Sequence, residues 1–398
     1  MAVTGADQQT GNITKDPLAA ALGLSETITG HAAAGEKIGR LAQPLHDALL
    51  EAGLFRMLMP KAYNGLEIDP PSFLRVIEAV AQRDASAAWC LCQGNGCAMV
   101  SAYLSPDAAN EIFGADPRAV LAWGPGKAEA RAVEGGYRVS GRLAFASGGR
   151  HATWLGCHVP VTEVDGGQRP GAGGKPETRT MLFPAAKVRW IDTWDVIGLR
   201  ATGSDDFEID DLFVPEHHTA IRDVEATRVQ QSQLFIMPSM CMYAIGFSAT
   251  AQGIARAMLE AFKDLALDKT PRLASSKMKD NPVIQSDMAH CEARLRAARA
   301  LLVSEVDDIW AGVQATGALS VANRMRIRLA ATYGIQEAKS VAEVVYDLAG
   351  VSAIRAESPF QRRYRDIRSV TQQLQGRRSH FQTVGAYLFG HPADLSVA

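Results

Sequence analysis

The periodicity of apolar residues changes twice along this 398-residue chain, and these two changes restrict its fold more than any single motif. Residues 17–118 repeat apolar side chains three and four positions apart, which is typical of packed helices. Residues 119–222 carry short runs rich in β-branched and aromatic residues, separated by Gly, Pro and Asp, which indicates short antiparallel strands. Helical spacing returns in residues 223–398. The sequence therefore predicts a β-domain between two helical domains, preceded by a flexible N-terminus at 1–16.

Four long helical segments in the C-terminal region predict a helical bundle. They lie at residues 247–267, 281–310, 320–350 and 365–390. Small apolar residues occupy more than one face of these helices, so we expect the helices to pack against other subunits as well. The pattern predicts an oligomer.

Composition excludes several classes of partner. The 41 basic and 43 acidic residues give a net charge of −2, which argues against binding to nucleic acid or an anionic membrane. The N-terminus has no signal-peptide pattern, and no run of about 18 apolar residues occurs, so we expect a cytoplasmic protein. The six cysteines do not indicate a disulfide framework: Cys90, Cys92, Cys97, Cys157, Cys241 and Cys291. For Cys90, Cys92 and Cys97, which cluster without a CxxC pair, we predict buried thiols rather than a metal site.

Glycine-rich segments that could bind a nucleotide lack the required spacing. In residues 165–177, Arg169 stands where a phosphate-binding loop needs Gly, and Pro176 follows Lys175 where that loop needs Ser or Thr. Neither 94–99 nor 124–129 completes the GxGxxG pattern of a dinucleotide-binding turn. The sequence thus contains no complete nicotinamide-binding motif.

Four stretches spread along the chain carry a family resemblance. They are LHDALLEAGLFRMLMPKAYNGLEIDP at 45–70, GGYRVSGRLAFASGGRHATW at 135–154, WDVIGLRATGSDDFEIDDLFVP at 194–215 and PFQRRYRDIRSVTQQ at 359–373. With these segments in this order, the chain resembles the acyl-CoA dehydrogenases and, more closely, their monooxygenase relatives that take reduced flavin from a separate reductase. The resemblance implies an α+β, mostly α, fold: a helical N-terminal domain, a central β-barrel or sandwich and a C-terminal four-helix bundle. It also implies a homotetramer with flavin between the β-domain and the bundle.

The resemblance assigns Ser147, in FASG, to the N5 edge of the flavin. A hydroxyl can accept a hydrogen bond from N5–H of reduced flavin and so help to hold an oxygen adduct at the neighbouring C4a carbon. The alternative is a serine that closes a turn before Gly148 and Gly149. Gly148 belongs to the same implied cofactor-binding segment.

Further cofactor-binding positions follow from the same resemblance. Trp194, Thr202 and Ser204 match the segment that lines the flavin ring, and Trp123 has a similar position. An aromatic face can stack on the ring, while hydroxyl groups reach its heteroatoms. Buried strand tryptophans and a polar turn are the alternative. Arg272 lies where the cofactor phosphate needs a cation, although the segment does not reproduce the arginine-phenylalanine-glycine pattern of the dehydrogenases, and a solvated loop remains the other interpretation.

Two amides stand where related enzymes carry acid–base residues. Counting from Arg365 and Asp366, the position of the dehydrogenase glutamate falls on Gln373 and Leu374, and neither side chain is a base. Phenol-hydroxylating relatives have a histidine at the position of Gln373 and another near Asn95. We predict that Asn95 and Gln373 orient a substrate that needs no base, or that they satisfy buried hydrogen bonds.

Few histidines of this chain could replace the acid–base residues that related enzymes carry. His380 lies seven residues after Gln373, which on one helix would place both on the same face, although its basic neighbours favour a solvated or subunit-contact position. His151 is another candidate near the flavin. His217 and His218 follow the last predicted strand without a third ligand at metal spacing, so we predict surface residues and no metal site.

These observations predict a flavin-dependent monooxygenase. It would take reduced FMN or FAD as a co-substrate from a separate NAD(P)H-dependent flavin reductase and form a C4a-hydroperoxide with O2. One oxygen atom would then enter a small aromatic or heteroatom-containing molecule. An acyl-CoA dehydrogenase with bound FAD, and a flavin-free scaffold of the same fold, are the two alternatives.

Overall fold

The N-terminal third of the chain folds into helices. The computed structural model describes residues 16–171 and 174–395, so that most of the predicted flexible N-terminus lies outside the described residues. Asp side chains accept hydrogen bonds from backbone N–H groups at three helix starts: Asp16, Asp69 and Asp84. The α-helices of this region are α1 Pro17–Gly23, α2 Ser25–Ile38, α3 Gln43–Glu51, α4 Pro70–Ala81, α5 Ala85–Ala98 and α6 Pro106–Ala109.

The middle of the chain forms an eight-stranded sheet in the described ranges. Its strands run in the spatial order β6-β7-β3-β2-β4-β5-β8, with β1 beside β4. Most neighbours are antiparallel as predicted, but β4 runs parallel to both β1 and β2. The strands are β1 Leu121–Trp123, β2 Gly126–Val133, β3 Gly136–Leu143, β4 Trp154–Thr162, β5 Thr178–Pro184, β6 Arg189–Ile191, β7 Asp206–Pro215 and β8 Thr219–Ala220.

The sheet has its own apolar core. Alternate residues of the strands point inward, including Tyr137, Val139, Phe183 and Phe207, each at most 2% exposed. In β3 the outward residues Arg138, Ser140 and Arg142 are polar, which is the period-2 pattern of a half-buried sheet, whereas in β5 Leu182 on the opposite face is buried against the helices.

Long helices resume after the sheet. They are α7 Ser239–Asp268, α8 Pro282–Thr316, α9 Val321–Ala349, α10 Pro359–Val370 and α11 Ser379–Leu388. The first three correspond to predicted segments. None of the helices in the described part of the chain is long and apolar enough to cross a membrane.

The prediction of one continuous helix over residues 365–390 is wrong. The backbone of Gln373 is extended, with φ −77° and ψ 169°, and its side chain accepts a hydrogen bond from the Gln375 N–H at 2.8 Å. This capping arrangement separates α10 from α11. Gln373 and His380 therefore do not lie on one helix face.

Helix α5 packs against α7 at very short range because glycines remove the intervening side chains. A Cβ at Gly96 would lie 2.3 Å from the ring of Tyr243, and one at Gly246 would lie 2.4 Å from Cys92 Sγ. The alanine-rich helix α5 is buried on all sides, which explains why its apolar pattern shows no single face. All six cysteines are buried free thiols, which confirms the prediction for Cys90, Cys92 and Cys97.

A short segment after β6 connects the sheet to the bundle. The Leu199 N–H donates to Asp366 Oδ1 at 2.7 Å. Gly198 lies so close to α10 that an added Cβ would be 2.1 Å from the Arg365 carbonyl oxygen. Burial raises the pKa of Asp366 to about 7.

Candidate functional site

Two loops of the sheet meet at Ser147. The loop after β3 turns sharply there, because Phe145 and Gly148 both have left-handed backbone, with φ values of 57° and 75°. The Gly148 N–H donates to the Thr202 carbonyl oxygen at 2.8 Å, which joins this loop to the segment before β7. A non-glycine residue such as Phe145 in this region is strained, and strain of this kind is concentrated at functional sites.

Three hydroxyl groups, those of Ser147, Ser204 and Thr202, form a buried chain that we call the hydroxyl chain. With the Thr202 hydroxyl donating to the Leu199 carbonyl oxygen at 2.8 Å, its oxygen accepts from Ser204, 2.6 Å away. Ser204 has then used its one proton, and Ser147 must donate to Ser204 across 2.7 Å. The Trp89 indole N–H donates to Ser147 Oγ at 3.0 Å. Ser147 is thereby left with a free lone pair and no free proton.

Trp89 is the residue of this site that sequence reasoning missed. It lies on α5, 58 positions before Ser147, so no local pattern connects the two. Its ring stacks on Phe247 of α7 with centroids 4.0 Å apart, and Phe247 stacks in turn on Tyr243 at 5.8 Å. We call Trp89, Phe247 and Tyr243 the aromatic wall. A tryptophan in an otherwise small-residue helix was the signal available in the sequence.

Trp123, the last residue of β1, takes no part in the hydroxyl chain. It is 6% exposed, its ring meets His158 edge-on at 4.6 Å, and the Arg222 guanidinium lies 5.3 Å from its centroid. The Trp123 carbonyl oxygen accepts from Gln93 of α5 at 3.5 Å. Trp123 thus connects β1 to α5.

Trp194 sits on the outer side of the hydroxyl chain. Its indole N–H donates to the Leu199 carbonyl oxygen at 3.2 Å, the same oxygen that Thr202 uses. Phe145 meets the Trp194 ring edge-on and is 61% exposed, and Ile197 nearby is 66% exposed. An exposed apolar group beside a polar chain is typical of a surface that binds a ligand or another subunit.

The two amides differ in what they leave unpaired. Asn95 is fully buried: its Oδ1 accepts from the Leu58 N–H, and its Nδ2 donates to the carbonyl oxygens of Leu54 and Leu91. Both of its N–H donors are therefore used by the backbone. The Nε2 of Gln373 is buried and has no hydrogen-bond partner in the described ranges. Gln373 alone offers a donor that a bound molecule could use.

Other candidates lie outside the hydroxyl chain. Arg272 is exposed in the connection between α7 and α8, with no hydrogen-bonded or ion-paired partner among residues 16–171 and 174–395. The expectation of a solvated His380 is wrong, because it is 5% exposed and its Nε2 lies 2.7 Å from the Leu374 carbonyl oxygen. The Nε2 of His151 lies 2.9 Å from the Leu41 carbonyl oxygen.

His46 should make this protein sensitive to mild acid. Its ring is 4% exposed, stacks on His151 at 4.3 Å and has no hydrogen bond within the described residues. Burial, and then the neighbouring His151, lower the pKa of His46 to about 4. The folded chain therefore holds this ring neutral, while the unfolded chain protonates it below about 6.5. The contribution of His46 to the free energy of unfolding is complete above pH 6.5. As the pH falls from 6.5 towards 4, that free energy decreases by roughly 3 kcal/mol.

We expect His46→Phe to keep the stack and remove this dependence. Urea unfolding at pH 7.5, 5.5 and 4.5 measures it: the free energy of unfolding should fall less for the variant than for wild type. The exposed His290→Gln serves as control and should follow wild type. Equal acid losses in wild type and His46→Phe would contradict the assignment.

The surface prediction for His218 is wrong. His218 is 7% exposed, and Trp154 meets its ring edge-on at 5.2 Å. A third ligand-type side chain, Glu111, comes from the N-terminal helical region to lie beside His217 and His218. Sequence spacing could not show this, because the third group is about a hundred residues away.

Comparison with known proteins settles the family. The profile described as acyl-CoA dehydrogenase, C-terminal domain, matches residues 245–375. Indole-3-acetate monooxygenase from Pseudomonas putida is 31% identical over 352 residues, which cover 88% of this chain and 87% of that protein. The chain belongs to the flavin-dependent monooxygenases of the acyl-CoA dehydrogenase fold.

Solved structures agree with the fold of this monooxygenase. A 3-HSA hydroxylase from Rhodococcus sp. RHA1 superposes with a TM-score of 0.87 at 24% identity, over 96% of this chain and 99% of that one. XiaF from Streptomyces sp., in complex with FADH2 and glycerol, gives a TM-score of 0.87 at 20% identity, over 95% and 96%. The predicted family and fold class are confirmed.

Proposed function

We propose that this monooxygenase binds reduced FMN or FAD beside the hydroxyl chain and uses O2 to oxygenate a small aromatic or heteroatom-containing molecule. The observation that supports this most is the state of Ser147. In the order of donation that starts from Thr202 and the Leu199 carbonyl oxygen, its proton goes to Ser204 and its remaining lone pair accepts a hydrogen bond. Reduced flavin carries an N–H at N5 and oxidised flavin does not. An acceptor at Ser147 therefore favours binding of the reduced form.

The other residues fit a flavin as well. Trp123 and Trp194 can pack on its ring, while Thr202 and Ser204 hold Ser147 in place rather than reaching the ring themselves. Gly148 brings backbone without a side chain to the same edge, and Arg272 is the proposed partner of the phosphate. When bound, the flavin supplies the electrons that activate O2.

The substrate proposal follows from the aromatic wall and Gln373. Trp89, Phe247 and Tyr243 form a buried stack of aromatic rings, and we propose that an aromatic substrate packs against it. The unpaired Nε2 of Gln373 can donate to one polar atom of that ring system but cannot take a proton from it. We therefore favour substrates that react without a base, such as indoles, and the Pseudomonas putida relative is named for an indole acid. Asn95 supports α5 in this proposal.

The assembly and the source of electrons belong to the same proposal. The chain has no nicotinamide-binding motif, so a separate NAD(P)H-dependent reductase would supply the reduced flavin. We propose a homotetramer that works in the cytoplasm. Sedimentation of the purified protein, with and without flavin, measures the oligomeric state.

The test is an anaerobic titration with photoreduced FMN and FAD, followed by admission of ¹⁸O2 with a panel of indoles, phenols and thioethers. We expect binding of the reduced form at least about 10-fold tighter than binding of the oxidised form, the scale of one hydrogen bond. Product from at least one aromatic substrate should carry ¹⁸O.

Two outcomes would overturn the proposal. Tight binding of oxidised FAD, with bleaching by an acyl-CoA in the absence of O2, would establish dehydrogenase chemistry. Failure to bind flavin in either redox state would leave a scaffold of this fold without its cofactor.

A further inference from the structure

A cluster of metal-ligand side chains joins the N-terminal helices to the sheet. Glu111 lies in the π-helical turn Asn110–Gly114, and His217 and His218 lie in the 3₁₀ turn Glu216–His218 between β7 and β8. One ligand atom from each of the three residues lies within 4.8 Å of the other two. We call these residues the His-His-Glu cluster. It has no part in the proposed flavin site.

The distances suit a small divalent ion. Glu111 Oε2 is 3.0 Å from His218 Nε2 and 3.7 Å from His217 Nε2. Zinc bonds of about 2.0–2.1 Å at tetrahedral angles place neighbouring ligand atoms roughly 3.3 Å apart. The two distances lie on either side of this value, and the exposed side chains of His217 and Glu111 can adjust by rotation.

His218 gives an independent reason to expect a ligand. The side chain is more than nine-tenths buried, and its Nε2 has no hydrogen-bond partner in the part of the chain that the structure describes. The contact with Glu111 is short enough for an ion pair but is not aligned as a hydrogen bond. Leaving a buried nitrogen in that state is unfavourable, and a metal ion at the point that both atoms face would satisfy it.

We propose that Glu111, His217 and His218 bind one divalent transition-metal ion, with Zn²⁺ as the best match. The two imidazoles favour Zn²⁺ over Mg²⁺ or Ca²⁺, which prefer oxygen ligands, and the carboxylate and a water molecule complete the tetrahedron. Because the ligands come from two segments about a hundred residues apart, the ion holds the Asn110–Gly114 turn against the end of the sheet. Its role is structural.

The experiment is calorimetric titration of the chelator-treated full chain with ZnCl2 at pH 7.5. We expect one ion per chain in wild type, at least 100-fold weaker binding in His218→Ala and 10-fold or more in His217→Ala, whose exposed position keeps the fold intact. His391→Ala, which removes an exposed histidine elsewhere, should bind as wild type. Co²⁺ bound at the same site should show the visible absorption of a tetrahedral complex.

The pH dependence separates the ion from a simple ion pair. Metal binding needs neutral imidazoles, so the rise in melting temperature caused by Zn²⁺ should be larger at pH 7.5 than at pH 5.5. An ion pair between Glu111 and the histidines would instead strengthen as the pH falls. Absence of saturable binding, or equal binding by wild type and His217→Ala, would overturn the proposal.

Discussion

Ser147→Ala should lower the yield of oxygenated product by roughly 100-fold, the scale on which removal of one positioned hydrogen-bonding group acts at a reacting centre. The variant loses the acceptor that Ser147 offers at the end of the hydroxyl chain. It also leaves the Trp89 indole N–H unpaired in a buried place, which should cost about 1–3 kcal/mol of stability. Product per reduced flavin consumed and urea unfolding measure the two effects.

Ser204→Ala is the matched control for that result. It keeps the Ser147 hydroxyl but removes the group to which that hydroxyl donates, so its proton becomes free to turn outward. Oxidised flavin, whose N5 is an acceptor, should then bind more tightly relative to reduced flavin than it does in wild type. Trp89→Phe removes the indole donor together with part of the buried ring, leaves the Ser147–Ser204 contact in place, and should leave that ratio near the wild-type value. The same ratio in Ser204→Ala and wild type would show that the direction of the chain does not matter.

Gly198→Ala should destabilise the protein by about 3 kcal/mol, the upper end of the usual cost of forcing atoms into a packed interior. The new Cβ would lie 2.1 Å from the Arg365 carbonyl oxygen, so the segment before β7 or helix α10 must move. Either movement breaks the 2.7 Å bond from the Leu199 N–H to Asp366. Since Leu199 also anchors Thr202, binding of reduced flavin should weaken in parallel.

Gly312→Ala provides the comparison. It lies within α8 with nothing inside 4 Å of the added Cβ, and it should stabilise the chain by roughly 0.5–1 kcal/mol. Urea unfolding of both variants distinguishes collision at one site from a general effect of removing glycine. A Gly198→Ala protein within 0.5 kcal/mol of wild type would contradict the close packing.

Periodicity was sufficient for the architecture because helices and strands are set by local patterns. The change at Ala119 and the return of helical spacing near 223 both fall between elements: Leu121 opens β1, and Ala220 ends β8 before α7. The break at Gln373 escaped prediction, because a capping hydrogen bond to Gln375 decided it rather than a Pro or a change in apolar spacing.

The candidate site was only partly accessible to sequence reasoning. Ser147, Thr202 and Ser204 could be named from the family resemblance, but their order of donation depends on distances that no pattern contains. Trp89 was missed because its partner is on a different element, and Glu111 because it reaches His218 from another domain. In each case the information lies in how the elements pack against one another.

The burial of all six thiols has a consequence for how long such an enzyme lasts. Oxidants such as peroxides attack cysteine as the thiolate. Burial raises the pKa of Cys97, Cys157 and Cys241 to about 12 and also raises those of Cys90, Cys92 and Cys291. At neutral pH these groups are protonated and shielded, so the cysteines present almost no thiolate to an oxidant.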